Sequence, residues 1–146
     1  MKLTLDVENT VTKRDGKMHL DPFEPENSLT MIGVLTDQDV ERHFPFDHCD
    51  VPNQQHFYEQ VQWFLDEATI LICHNAAYDL MWLWESGFKY DGPVFDTMLA
   101  EYVLQRGIKE PLSLEACAER YELDTKKQDT LKEYFAKGYT TRDIPY

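Results

Sequence analysis

Met1-Lys2-Leu3-Thr4-Leu5-Asp6-Val7-Glu8-Asn9-Thr10 opens the chain, and the order of apolar and polar side chains within it decides the fold. Leu3, Leu5 and Val7 alternate with Thr4, Asp6 and Glu8, the period-two pattern of a strand with one buried side. Successive side chains on a strand point to opposite sides, so Asp6 and Glu8 project from the same one. They stand roughly 6–7 Å apart, from the rise per residue of a strand. Two carboxylates that close repel each other and resist burial unless a cation sits with them. A hard divalent ion with oxygen ligands, Mg2+ or Mn2+, suits such a pair. The plainer alternative places both acids past the strand end, merely solvated, as a lone D-x-E often is.

The 146 residues suffice for one core, and residues 1–146 are expected to form a single domain. An aromatic content of 13% favours a packed globule over disorder. No apolar run reaches the ~18 residues of a membrane span, and no charged-then-apolar leader opens the chain. The expectation is a soluble, cytoplasmic protein with no membrane partner. Cys49, Cys73 and Cys117 are widely spaced and read as reduced, buried thiols. His43, His48, His56 and Cys49 lack a second well-spaced ligand pair, so a zinc site is not expected. The net charge of −13, from 27 acidic against 14 basic residues, argues against non-specific affinity for nucleic acid, which relies on Lys and Arg neutralising phosphates. Bound metal or an attached partner domain must supply the attraction if the substrate is a polyanion.

Further along, Asp15-Gly16 signals a tight turn, and the prolines at 22 and 25 mark a loop. Leu29–Thr36 is a second buried strand, and a short third strand is expected somewhere between Asp37 and Asn53. Gln54–Glu67 carries a helical apolar stripe of Phe57, Val61, Phe64 and Leu65. Ala68–Cys73 reads as a buried parallel strand, Tyr78–Glu85 as a helix closed by Gly87, and Pro93–Phe95 as a short extended piece. Asp96-Thr97 caps a helix through Leu104, and Ser113 caps another to about Tyr121. A further short helix covers Thr130–Lys137, ended by Gly138. Strands lead and then alternate with helices, which predicts an α/β fold around one mixed central sheet.

The second informative stretch is Ile72-Cys73-His74-Asn75-Ala76-Ala77-Tyr78-Asp79-Leu80, where a buried strand runs into a helix. In an α/β sheet the crevice at such strand ends is where ligands bind. Asp79 falls in the first helical turn, where the helix dipole favours a carboxylate, so plain helix stabilisation competes with a functional role. Asn75 competes likewise as a turn or cap residue.

Together, D-x-E on the first strand and His-Asn-x-x-Tyr-Asp at a later strand-to-helix junction resemble the first two motifs of the DEDD exonuclease superfamily. Asp21-Pro22-Phe23 with Asn27-Ser28-Leu29, Phe95-Asp96-Thr97-Met98-Leu99-Ala100 and Pro111-Leu112-Ser113-Leu114-Glu115-Ala116 follow in the expected order. The whole set is most similar to the 3′–5′ proofreading domain of phage-type family A DNA polymerases and covers nearly the whole chain. The resemblance implies a ribonuclease H-like fold and a two-metal exonuclease using Mg2+ or Mn2+. It implies metal-binding carboxylates at Asp6, Glu8 and Asp79, and contact with the terminal nucleotide at Asn75. Asp96 lies outside the implied metal set, and helix capping is its expected role. The implied substrate is a single-stranded DNA 3′ end, with Tyr78, Phe23 and Trp82 as candidates for base stacking. The implied partner is a polymerase domain in the same or a separate chain, in the host cytoplasm if the source is a phage.

The third motif departs from the pattern. Tyr139-Thr140-Thr141-Arg142-Asp143 is its only formal match, yet Gly138, two threonines and Pro145 argue against a helix there. The expectation is a chain that stops short of this motif and is impaired as an enzyme. Three other readings are a ribonuclease D-like enzyme acting on RNA 3′ ends, a non-catalytic scaffold of the same fold, and an acidic domain without a metal site.

Overall fold

The computed structural model describes residues 1–47, 54–123 and 128–144, with backbone only at 128–131. Five strands form the main sheet, in the order β5-β4-β1-β6-β7. They are β1 (Lys2–Asn9), β4 (Leu29–Thr36), β5 (Glu41–Pro45), β6 (Ile70–Cys73) and β7 (Val94–Asp96). β1 pairs antiparallel with β4 and parallel with β6, so the sheet is mixed and its first strand is central. The unplaced third strand is β5, an edge strand whose Glu41, Arg42 and His43 protect it from pairing with another chain.

A separate hairpin of β2 (Thr12–Arg14) and β3 (Lys17–His19) turns at Asp15-Gly16, where both residues have positive φ. That is the backbone a two-residue hairpin turn demands, and the Asp-Gly pair supplies it.

Alternation along β1 buries Leu3, Leu5 and Val7 and leaves Thr4 and Asp6 exposed. The buried side joins Ile32, Val34 and Phe44 to Val61, Phe64 and Leu65 of α1 (Gln55–Glu67), and to Trp82 and Leu83 of α2 (Ala76–Glu85). Phe44 meets Phe57 and Phe64 at ring-centroid distances of 6.1 and 5.9 Å, filling the space over the sheet edge. Truncating Leu5 to alanine in this core costs about 2–5 kcal/mol.

α2 closes with a Schellman turn. Gly87 takes φ +91°, its N–H bonds the Trp84 carbonyl, and the Phe88 N–H returns to Leu83. The helix starts at Ala76 rather than Tyr78 because a carboxylate on β7 caps it. α3 (Thr97–Leu104), α4 (Leu114–Arg120) and α5 (Gln128–Ala136) complete the described chain. None of the described helices is long and apolar enough to cross a membrane.

Candidate active site at the end of the first strand

β6 ends at Cys73, which is level with Leu5, while β1 runs on to Asn9. Past that point β1 has no strand neighbour on the β6 side, and the start of α2 takes its place. The Val7 N–H that would otherwise bond a strand bonds the Asp79 carboxylate instead. Asp79 is 3% exposed, and its Oδ2 is buried with no hydrogen-bond partner among the described residues. Burial, then the negative charge of Asp6, push its pKa up to about 7, against the pull of the Val7 N–H and the Cys73 thiol. Burial, and after it the charge of Asp79, likewise raises the Cys73 thiol and keeps it protonated as a donor.

Asp6 is exposed on the side of β1 opposite the core, and Glu8, half-buried, follows on the same side. Between Glu8 and Asn9 the pairing with β4 slips by one residue, a bulge that twists the strand end beside the two acids. Glu8 faces Tyr78. Burial raises the Tyr78 hydroxyl first, and the charges of Asp79 and Glu8 add to that effect. The structure thus brings Asp6 and Asp79 into electrostatic contact. It does not gather three His, Cys, Asp or Glu side chains around one ion-sized point among the described residues. The buried orphan oxygen of Asp79 beside the Asp6 charge suits a cation, which these two carboxylates would hold, with Glu8 next along the strand.

Asn75 adopts the left-handed conformation at the cap of α2, and its side chain makes no cap hydrogen bond. The cap comes from Asp96 across the sheet. Its carboxylate accepts the N–H groups of Asn75 at 3.1 Å and Ala76 at 2.9 Å, and those of Met98 at 2.9 Å and Leu99 at 3.2 Å. One side chain therefore caps both α2 and α3, which is why α2 begins two residues before Tyr78. Burial would raise the Asp96 carboxyl, but the four N–H donors outweigh it and hold it below its ordinary value. Because Asp96 occupies these amides, the α2 terminus offers none of them to an external anion.

Asn9 is a hub that the sequence reading missed. Its Nδ2 donates to the carbonyls of Thr10 and Leu20, and its Oδ1 accepts the Tyr78 hydroxyl at 2.6 Å. The Leu20 carbonyl also accepts the Trp82 indole N–H at 3.2 Å. Trp82 is 2% exposed, so its candidacy as a base-stacking surface fails: it is core, with its polar atom already used. Phe23 is exposed on the loop beyond Leu20, and Tyr78 is half-buried.

The stretch 139–143 is not helical, as expected. Asp143 folds back on its own turn, accepting the Thr140 N–H at 3.0 Å and hydroxyl at 2.6 Å. Its neighbours tie down the turn: the Thr141 hydroxyl donates to the Asn9 carbonyl at 2.8 Å, and Arg142 pairs with Asp47 at 2.7 Å. Cys73 and Cys117 are free, buried thiols, while His48 and Cys49 lie outside the described residues. His74 is held between the Thr97 hydroxyl and the Leu112 carbonyl, at 2.9 and 2.8 Å.

Comparison with known proteins bears on the fold and the family. A solved structure described as the apo form of the nuclease superposes with a TM-score of 0.58 at 18% identity, over 86% of this chain. The chain spans 54% of that nuclease's length, and the likeness supports the ribonuclease H-like fold. Comparison with curated proteins gives no match. A family model described as 3′-5′ exonuclease matches residues 18–146, which hold Asn75, Asp79 and Asp96 and begin after Asp6 and Glu8. The chain belongs to the 3′–5′ exonuclease family.

Proposed function

We propose that this chain is a proofreading-type 3′–5′ exonuclease domain over residues 1–146, hydrolysing phosphodiester bonds at DNA 3′ ends with Mg2+ or Mn2+. The observation that carries the reading is the buried, half-satisfied Asp79 carboxylate set against the charge of Asp6. Such an arrangement is costly without a cation. Asp6, Glu8 and Asp79 are the proposed metal ligands. In a two-metal site, bound metal supplies activation of water and stabilisation of the leaving 3′ oxygen. Val7 and Cys73 hold the Asp79 carboxylate toward β1, and the fixed Asn75 backbone presents its free side chain to the terminal nucleotide. The acidic surface gives a strand little attraction, so delivery by a polymerase domain, in the same or a separate chain, suits the site. A phage replication protein acting in host cytoplasm fits this role.

The test pairs Mn2+ calorimetry with degradation of 3′-labelled single-stranded DNA and matching RNA, on the native chain and on Asp6→Ala. Metal binding and DNA degradation that both fall in the variant support the reading. Faster turnover of RNA would move the substrate to RNA 3′ ends, and binding without degradation would leave the chemistry impaired.

One observation favours a second reading. Among the described residues no third ligand joins Asp6 and Asp79 around one point, and Asp143 is engaged with Thr140. A non-catalytic scaffold of the same fold follows if Mn2+ binds neither protein.

A further inference from the structure

On α1 the residues facing away from the core include Glu59, Trp63 and Asp66, spaced i, i+4 and i+7 and so aligned in one stripe. Trp63 is 56% exposed although it is the largest side chain of the helix. It leans edge-on against Phe64, with ring centroids 5.0 Å apart, and its indole N–H has no partner among the described residues. A hollow opens on each side of it. The first, of 420 Å³, lies between Trp63, Asp66 and the Gly87-Phe88 turn. The second, of 370 Å³, lies between Trp63, Arg42 and His56, and Glu59 lines both. No Lys or Arg pairs with Glu59 or Asp66 among the described residues, and Asp66 accepts only the Gln62 amide at 2.7 Å.

We propose that this stripe is a docking surface for a basic polypeptide segment of a partner protein. Its apolar side chains fill the hollows, and a Lys or Arg lies over the Trp63 ring between the two carboxylates. Trp is the strongest cation–π acceptor among side chains, and an exposed Trp flanked by recesses is the type of residue that dominates protein interfaces. Charge decides the class of occupant: a chain of net charge −13 repels a second copy of itself and attracts a basic partner. Location decides the consequence. α1 packs on the Leu3-Leu5-Val7 side of the sheet, whereas Asp6 projects from the other, so a docked partner leaves Asp6 uncovered.

The experiment is fluorescence anisotropy with a labelled short peptide of alternating leucine and arginine as probe. The native chain binds it, more weakly as salt rises. Trp63→Ala lowers the affinity about tenfold or more, Trp63→Phe keeps most of it, and Glu59→Gln with Asp66→Asn weakens it by a similar factor. Trp84→Ala, which removes another exposed tryptophan, leaves it unchanged. Absence of binding, equal binding by Trp63→Ala, or equal loss in Trp84→Ala overturns the proposal. So does a concentration-dependent dimer of the native chain that Trp63→Ala abolishes, because the occupant would then be a second copy.

Discussion

The Asp96 carboxylate accepts the N–H of Ala76, twenty positions earlier in the chain, at 2.9 Å, so one side chain on an edge strand starts a helix that belongs to the candidate site. It does the same for Met98 and Leu99 at the head of α3. Asp96→Ala removes both caps and lowers stability by about 1–3 kcal/mol, read from urea unfolding. The carboxyl lies below its ordinary value when folded, so this contribution is present above pH 3.8 and is lost as pH falls through the folded value. In Asp96→Ala the acid arm of the stability profile flattens. An unchanged profile would mean that the two helices do not depend on this cap.

Asp79 carries the opposite sign. Its pKa rises from 3.8 to about 7 on folding, so the metal-free native state holds a proton that the unfolded chain has released. Stability therefore falls as pH rises from about 4 to about 7, and levels off above that. Asp79→Asn removes this slope, and Asp6→Asn shrinks it by taking away the neighbouring charge. With Mn2+ present the slope of the native chain reverses, because deprotonation then favours binding. Thermal melts across this pH range, with and without Mn2+, check all three outcomes.

Glu122 closes α4 with φ +56°: its N–H bonds Glu119 and the Leu123 N–H bonds Ala118. A side chain strains that left-handed backbone, so Glu122→Gly raises stability by roughly 1 kcal/mol, seen as a higher unfolding midpoint.

Asp143→Ala strips the Thr140 N–H and hydroxyl of their acceptor and costs about 1 kcal/mol. Mn2+ affinity stays as in the native chain. A clear loss of affinity would show that this carboxylate leaves its turn to reach the metal.

The sheet was legible because Leu3, Leu5 and Val7 alternate with polar residues and Leu29–Thr36 is a mostly apolar run, and a mixed sheet follows from leading strands that then alternate with helices. Strand spacing put Asp6 and Glu8 on one side and the strand-to-helix junction drew attention to Asp79, but only the resemblance to the exonuclease motifs joined the three as proposed metal ligands. What spacing does not carry is the far side of a contact. Asn9 looked like the end of a strand, yet it receives Tyr78 from 69 positions away. Glu101 is the one charged residue of α3 (Thr97–Leu104). It is also the buried one, held by Tyr121 at 2.8 Å and Arg120 at 3.2 Å, while Leu99, Tyr102 and Val103 face outward. Periodicity gives the faces of a helix; the tertiary partners choose which face is covered.

The bond from Thr141 to the Asn9 carbonyl joins residues 132 positions apart. On a ribosome the first strand emerges long before its parallel neighbour β6, and residue 141 follows only after every strand of the sheet has been made. The tie from Thr141 is therefore the last one made at this end of β1, after the pairing with β4 and the bond from Tyr78 to Asn9. A nascent chain arrested before residue 141 is expected to hold its sheet while cleavage by a protease near Thr10 stays open, and to close that site on release.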